Sequence, residues 1–178
     1  MAELQLSMDS QELANRRRRG RSRRTTQRPS LSAIFGDLLT WNDHFSVDDE
    51  ELDDQHRNFV RCLNDLHALR LEGTDPDDVK AAIREVELLL MRHFSHEEDN
   101  LVRCGYPYVL QHAAEHRTLM REFETVRENV FNLAGWGCKP DVAWPMLEFM
   151  IRLTVGHMLK SDMEYRDYLR AHGLLNGK

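Results

Sequence analysis

From Trp41 onward, apolar residues recur at three- and four-residue steps in four stretches, with no run of strand-like alternation. The first predicted helix runs from about Asp53 to Leu71, placing Phe59, Val60, Leu63 and Leu66 on one face, and stops at Gly73. The second opens after Asp75-Pro76, an N-cap residue followed by proline in the first turn, and reaches about Cys104 before Gly105. The third follows Pro107 and ends at Ala134, before Gly135. The fourth begins between Asp141 and Pro145 and continues to about Ala171, before Gly173. Four long helices with short connections predict an all-α fold, an antiparallel up-and-down four-helix bundle.

Polar residues interrupt these apolar faces at particular places. At about 100° per residue, Ile83, Val86, Leu90, Glu97 and Leu101 share one stripe of the second helix, with His93 at its edge. Glu97 falls near the centre of that stripe, where a carboxylate is costly unless a cation meets it. His93 and Glu97 are four apart and can converge on one object. His96 falls well off the stripe, on the expected surface, and Glu98 and Asp99 read as a solvated face. On the third helix, His112 and His116 share a face with Leu119, Phe123, Val126 and Val130. His56 shares the face of Phe59, Val60 and Leu63 on the first. On the fourth, His157 and Asp162 are five apart, a spacing that does not stack side chains in an α-helix; they straddle a stripe through Thr154, Met158 and Tyr165.

Height along the bundle joins these residues. In an antiparallel bundle the start of the first helix, the end of the second, the start of the third and the end of the fourth lie level. His56, His93, Glu97, His112, His116, His157 and Asp162 all fall in that layer. Five imidazoles and two carboxylates exceed what one tetrahedral zinc needs, and calcium prefers oxygen ligands throughout. The set suits two first-row metal ions bridged by both carboxylates, with iron the leading candidate. The chain has no HExxH zinc-protease motif and no Glu-x-x-His motif of the ferritin-like di-iron oxidases. A site richer in imidazole and poorer in anions favours reversible oxygen binding over oxygen activation.

Charge divides the chain. Residues 1–30 hold eight arginines and three acids, a charge of +5, leaving 16 basic and 27 acidic residues and −11 for the rest. Residues 1–30 read as a disordered Arg-rich extension, 31–52 as an approach segment packing on the bundle, and 53–178 as the bundle itself. The stretch 31–35 is too short and too soon interrupted by Asp37 for a twin-arginine export signal. An acidic body excludes a basic nucleic-acid-binding domain, although residues 16–28 offer an arm that a nucleic acid or an acidic protein could meet. Three cysteines without a CxxC pair suit a reducing, cytoplasmic setting, and no stretch approaches a membrane span. Cys62, Cys104 and Cys138 have no metal-like spacing, and His67 lies about 16 Å along the first helix from His56 by helix rise.

At these residues the chain resembles the hemerythrins, in their single-domain bacterial form, over about Trp41 to Leu169. The shared features are the approach through Trp41, Phe45, Val47, Leu52 and Asp53-Asp54-Gln55-His56, then His93-Phe94-Ser95-His96-Glu97-Glu98, Gly105-Tyr106-Pro107, His112, His116, His157 and Asp162. The resemblance implies that His112, His116 and His157 hold one iron. His56 and His93 hold the other, which keeps a position open, and Glu97 and Asp162 bridge the pair with an oxo or hydroxo group. It implies dioxygen as the ligand, for carriage, storage, delivery or sensing, in a pocket of Phe59, Phe94, Thr154, Met158 and Tyr165. The competing expectations are a di-iron oxidoreductase acting on peroxide or nitric oxide, and a regulatory module read out through the basic arm.

Two positions depart from the family pattern. Asp48 stands where the family usually has glycine. Thr154 puts a hydroxyl where a larger apolar residue is common, which is expected to admit water or bond the ligand and so speed autoxidation.

Overall fold

The computed structural model describes residues 36–72, 76–132 and 143–174. The arginine-rich stretch and Cys138 lie outside these residues. A 3₁₀ turn (Asp43–Phe45) leads to α1 (Glu50–Glu72), α2 (Pro76–Arg103) and α3 (Val109–Asn132). The fourth rod is composite. It starts as α4 (Trp144–Ile151), winds into a π-helical stretch (Arg152–Ser161) and returns to α-helix in α5 (Asp162–Ala171). Packing runs α1 on α2, α2 on α3, α3 on α4 and α4 back on α1, which closes the four-helix bundle. Among the described residues there is no strand.

The first helix begins three residues before the predicted start, because Asp49 caps it: its Oδ1 accepts the Leu52 amide at 3.0 Å. Buried Asp53 then gathers the approach loop, accepting the Val47 amide at 2.8 Å and the Ser46 hydroxyl at 2.5 Å. Asp48 takes the left-handed conformation, φ 64°, that the family's usual glycine adopts freely. Its carboxylate accepts from Arg170 Nε at 2.6 Å, and Arg166 donates to the Ser46 carbonyl at 3.1 Å, so α5 holds the loop from the other side. Farther up α1, Asn64 accepts the Leu38 and Leu39 amides and donates to the Leu39 carbonyl.

Gly105 and Gly173 end their helices as expected. Each has positive φ, and the residue after it reaches back five positions, Tyr106 to the Leu101 carbonyl and Leu174 to that of Leu169.

Two apolar clusters fill the interior. The larger contains Phe59, Leu63, Leu66, Ile83, Val86, Leu90, Phe123, Val130 and the α4 residues Met146 to Met150 that face inward. The smaller contains Val47, Leu52, Leu101, Tyr106, Tyr165 and Leu169. On every helix the buried histidines and carboxylates sit between the two. His56 lies between Leu52 and Phe59, His93 and Glu97 between Leu90 and Leu101, and His157 and Asp162 between Leu153 and Tyr165.

Candidate metal centre

All seven predicted side chains meet in this middle layer, and all are buried, Glu97 and Asp162 completely. They form two adjoining groups: Glu97, His112, His116 and His157, and His56, His93 and Asp162. The imidazole Nε2 atoms turn towards the carboxylates. Glu97 Oε2 lies 3.0 Å from His116, 3.2 Å from His112 and 3.6 Å from His93. Asp162 spans both groups, with Oδ2 3.3 Å from His56 and 4.0 Å from His93, and Oδ1 3.3 Å from His157 and 3.6 Å from His112.

The π-helical winding corrects the expectation for the fourth helix. Its hydrogen bonds run i→i+5, and the Asp162 amide donates to the His157 carbonyl. Residues five apart therefore stack, and His157 and Asp162 reach the same point instead of straddling a stripe.

Three side chains outside the predicted set face imidazole nitrogens, and two of them hydrogen-bond there. His93 Nδ1–H donates to Gln55 Oε1 at 3.0 Å, which leaves Nε2 with its lone pair facing inward. Gln55 in turn donates to His96 Nδ1 at 3.2 Å, so His96 is half-buried rather than on the surface. His116 Nδ1–H donates to Glu98 Oε1 at 2.8 Å, and Glu98 is a half-buried orienting group rather than part of a solvated face. Glu115 sits 3.5 Å from His157 Nδ1 and accepts from Ser161 at 2.8 Å. Gln55 and Glu98 each adjoin a buried histidine or carboxylate in sequence, a signal that wheel arithmetic discards because neighbours fall about 100° apart.

Burial pushes His93 down to about 3 and lowers His157, keeping both neutral and able to donate lone pairs. Burial alone would raise the Glu97 carboxyl, yet His93, His112 and His116 hold it well below the usual carboxylate range. Asp162 is lowered too: burial and the Glu97 charge oppose this, and His157 and His56 prevail. On His112, burial is outweighed by the Glu97 carboxylate and the pKa rises.

The predicted pocket residues adjoin this layer. Phe94 stacks on His116 at 3.9 Å between centroids, and Phe59 meets His93 edge-on at 5.2 Å. Thr154, Met158 and Tyr165 are buried, and Tyr165 lies edge-on to His112 at 5.8 Å. Burial, then the Glu97 and Asp162 charges, keep the Tyr165 phenol well above its ordinary pKa. A groove of about 510 Å³ between α3 and the π-helical stretch, lined by Glu115, Leu119, Arg152 and Gly156, opens onto His157. His67 is half-buried, away from the cluster.

The donor set demands a cation. Glu97 Oε1, both Asp162 oxygens and both His56 nitrogens are buried without hydrogen-bond partners. Orphaned polar atoms on this scale are expensive unless a ligand satisfies them. Imidazole and carboxylate donors without a thiolate suit first-row transition ions. A profile of the hemerythrin HHE cation binding domain matches residues 47–169.

The chain belongs to the hemerythrin family.

A hemerythrin domain carries a non-haem di-iron centre, and the two adjoining donor groups fit a metal pair. Similar proteins include a bacteriohemerythrin of Stenotrophomonas maltophilia, 26% identical over 76% of this chain and 84% of its own length. A bacteriohemerythrin of Pseudomonas aeruginosa is 26% identical over 74% of this chain and 82% of its own. One from Campylobacter jejuni is 29% identical over 49% and 67%. Among the described residues, no helix is long and apolar enough to cross a membrane.

Proposed function

We propose that this hemerythrin-family chain binds dioxygen reversibly at its di-iron centre, as a binding protein and not an enzyme, in a reducing cytoplasmic compartment. The observation that carries the reading is the unequal, imidazole-rich donor set. Three imidazoles accompany Glu97, and only two accompany Asp162. His112, His116 and His157 would hold one iron and His56 and His93 the other, with Glu97 and Asp162 as the carboxylates of the two adjoining groups. When bound, the metal pair would supply the reducing equivalents that oxygen binding draws on.

The protein groups do the rest. Gln55 and Glu98 hold the His93 and His116 imidazoles in register and set their tautomers, and Glu115 lies beside His157. Phe59, Phe94 and Met158 keep bulk water out of the layer. Thr154 and Tyr165 bring hydroxyl groups that are buried without partners, available to a small polar ligand. The free thiols Cys62 and Cys104 agree with a reducing setting.

The test is the absorption spectrum of anaerobically reduced protein before oxygen, after oxygen and after its removal, with iron counted. Reversible colour at two irons per chain supports the reading. Irreversible bleaching, or turnover of peroxide or nitric oxide, overturns it in favour of a di-iron oxidoreductase.

A further inference from the structure

The outer face of α2 carries a second apolar stripe, away from the one that faces the core. At about 100° per residue, Arg84, Leu88, Met91, Ser95 and Val102 fall within about 60° of arc, at steps of four, three, four and seven. All five are exposed, and Leu88, Met91 and Val102 by 69%, 59% and 65%. Single apolar residues on a surface are ordinary. Three on one stripe, at the spacing by which helices seat against each other, are not. Along one edge of the stripe the charges alternate: Glu85, Arg92, Asp99 and Arg103, all exposed. Asp99 and Arg103 make no ion pair among the described residues. Arg92 and Glu85 pair with Glu51 and Arg61 of α1 at the surface, where such pairs contribute little and are readily shared. On the other edge, Glu87 and Glu98 are half-buried and turn into the bundle, to Arg127 and His116.

We propose that this face pairs with the same face of a second copy of the chain, the two α2 helices running antiparallel across a two-fold axis at Ser95. In a parallel pair each alternating edge would meet the other copy's Glu87 and Glu98, which are already engaged inside their own bundle. An antiparallel pair sets the alternating edge against itself. Leu88 and Val102 each stand seven residues from Ser95, so Leu88 of one copy covers Val102 of the other. Within one or two residues of the same register, Arg92 meets Asp99 and Glu85 meets Arg103. The two-fold axis repeats every contact, giving two apolar pairs and four ion pairs of opposite charge. Ser95, the smallest side chain of the stripe, lets the helices approach closely where they cross. Charge fixes the direction of pairing, and the apolar contacts hold it. One helix face is a small interface, so the dimer exchanges with monomer and is not permanent. The pairing requires neither bound oxygen nor a particular chemistry at the centre.

The experiment is sedimentation velocity of the iron-loaded, full-length chain over a wide range of protein concentration. The expected result is a monomer–dimer equilibrium that Leu88→Asp abolishes, with helicity and iron content unchanged. Asp99→Arg and Arg92→Asp should each weaken the dimer by about tenfold or more, because each sets like charges face to face. An equimolar mixture of those two variants should recover a dimer, because opposite charges then face each other at both contacts. Under mild oxidation, with the link mapped by peptide mass spectrometry, Ser95→Cys should cross-link to itself. Leu88→Cys should not, but should cross-link when mixed with Val102→Cys. The proposal is overturned by a chain that stays monomeric throughout, by a dimer that survives Leu88→Asp, or by Leu88→Cys cross-linking to itself. It is equally overturned if the monomer binds phosphatidylglycerol vesicles through this face, with Leu88→Asp abolishing that binding.

Discussion

The layer of histidines and carboxylates is as dry as the large apolar cluster beside it, but the two are closed in opposite ways. Around Leu66, Ile83, Leu90 and Phe123, every group is satisfied by its neighbours as soon as the helices meet. Around Glu97 and Asp162, folding leaves oxygens and nitrogens without partners, and only a bound cation completes the packing. The apolar cluster therefore supplies the free energy that makes the bundle, and the polar layer uses some of it to hold donors in place before a metal arrives. Burial alone does not distinguish a core from a site; completeness of partners does.

Exchanging the two kinds of residue separates them most sharply. His116→Ala should lose iron outright, seen by metal analysis, and should lower the stability of the metal-free protein by only about 1–3 kcal/mol, through the partner that Glu97 and Glu98 lose. Phe123→Ala should do the reverse, costing about 3–5 kcal/mol in chemical denaturation while two irons per chain remain. Retention of two irons in His116→Ala would sink the metal assignment.

A smaller effect is expected one shell out. Glu98→Ala frees the His116 ring to turn and should weaken metal binding by about 10- to 100-fold in competition with a chelator. The equivalent change at solvent-exposed Asp99 should leave it unaltered. Smaller again is Thr154→Leu, which replaces an unpartnered buried hydroxyl with apolar bulk. The oxygenated form should live longer, with iron content unchanged, and an unchanged lifetime would remove Thr154 from the ligand's surroundings.

The smallest change lies farthest from the metal. Asp48→Ala should destabilise by about 1 kcal/mol more than Asp48→Gly in thermal unfolding, because alanine keeps the left-handed strain. Neither substitution should alter metal affinity.

Sequence periodicity made most of this layer legible. Residues at three- and four-residue steps declare a helix face, and antiparallel order declares height, so His56, His93, Glu97, His112 and His116 could be brought together without coordinates. His157 and Asp162 could be placed at the right height but not the right angle. The π-helical winding between them depends on what the rest of the bundle packs against, and local pattern does not encode it. Gln55 and Glu98 were hidden for a related reason. Their backbone positions point off the apolar stripe, and only the reach of the side chains brings them to a ring nitrogen. Asp48 shows the converse case, where the conformation survives although the residue that usually marks it is absent.

The π-helical stretch also decides where this chain can change length. Deleting one residue within α1, α2 or α3 swings everything beyond it by about 100° and takes the downstream face off its cluster. Within Arg152–Ser161 a lost residue is taken up by tightening i→i+5 bonds to i→i+4, and Tyr165 and Leu169 keep facing inward. The fourth helix thus gives the lineage one adjustable joint beside the metals, where the spacing from histidine to carboxylate can be reset by a residue while both ends of the bundle stay in phase.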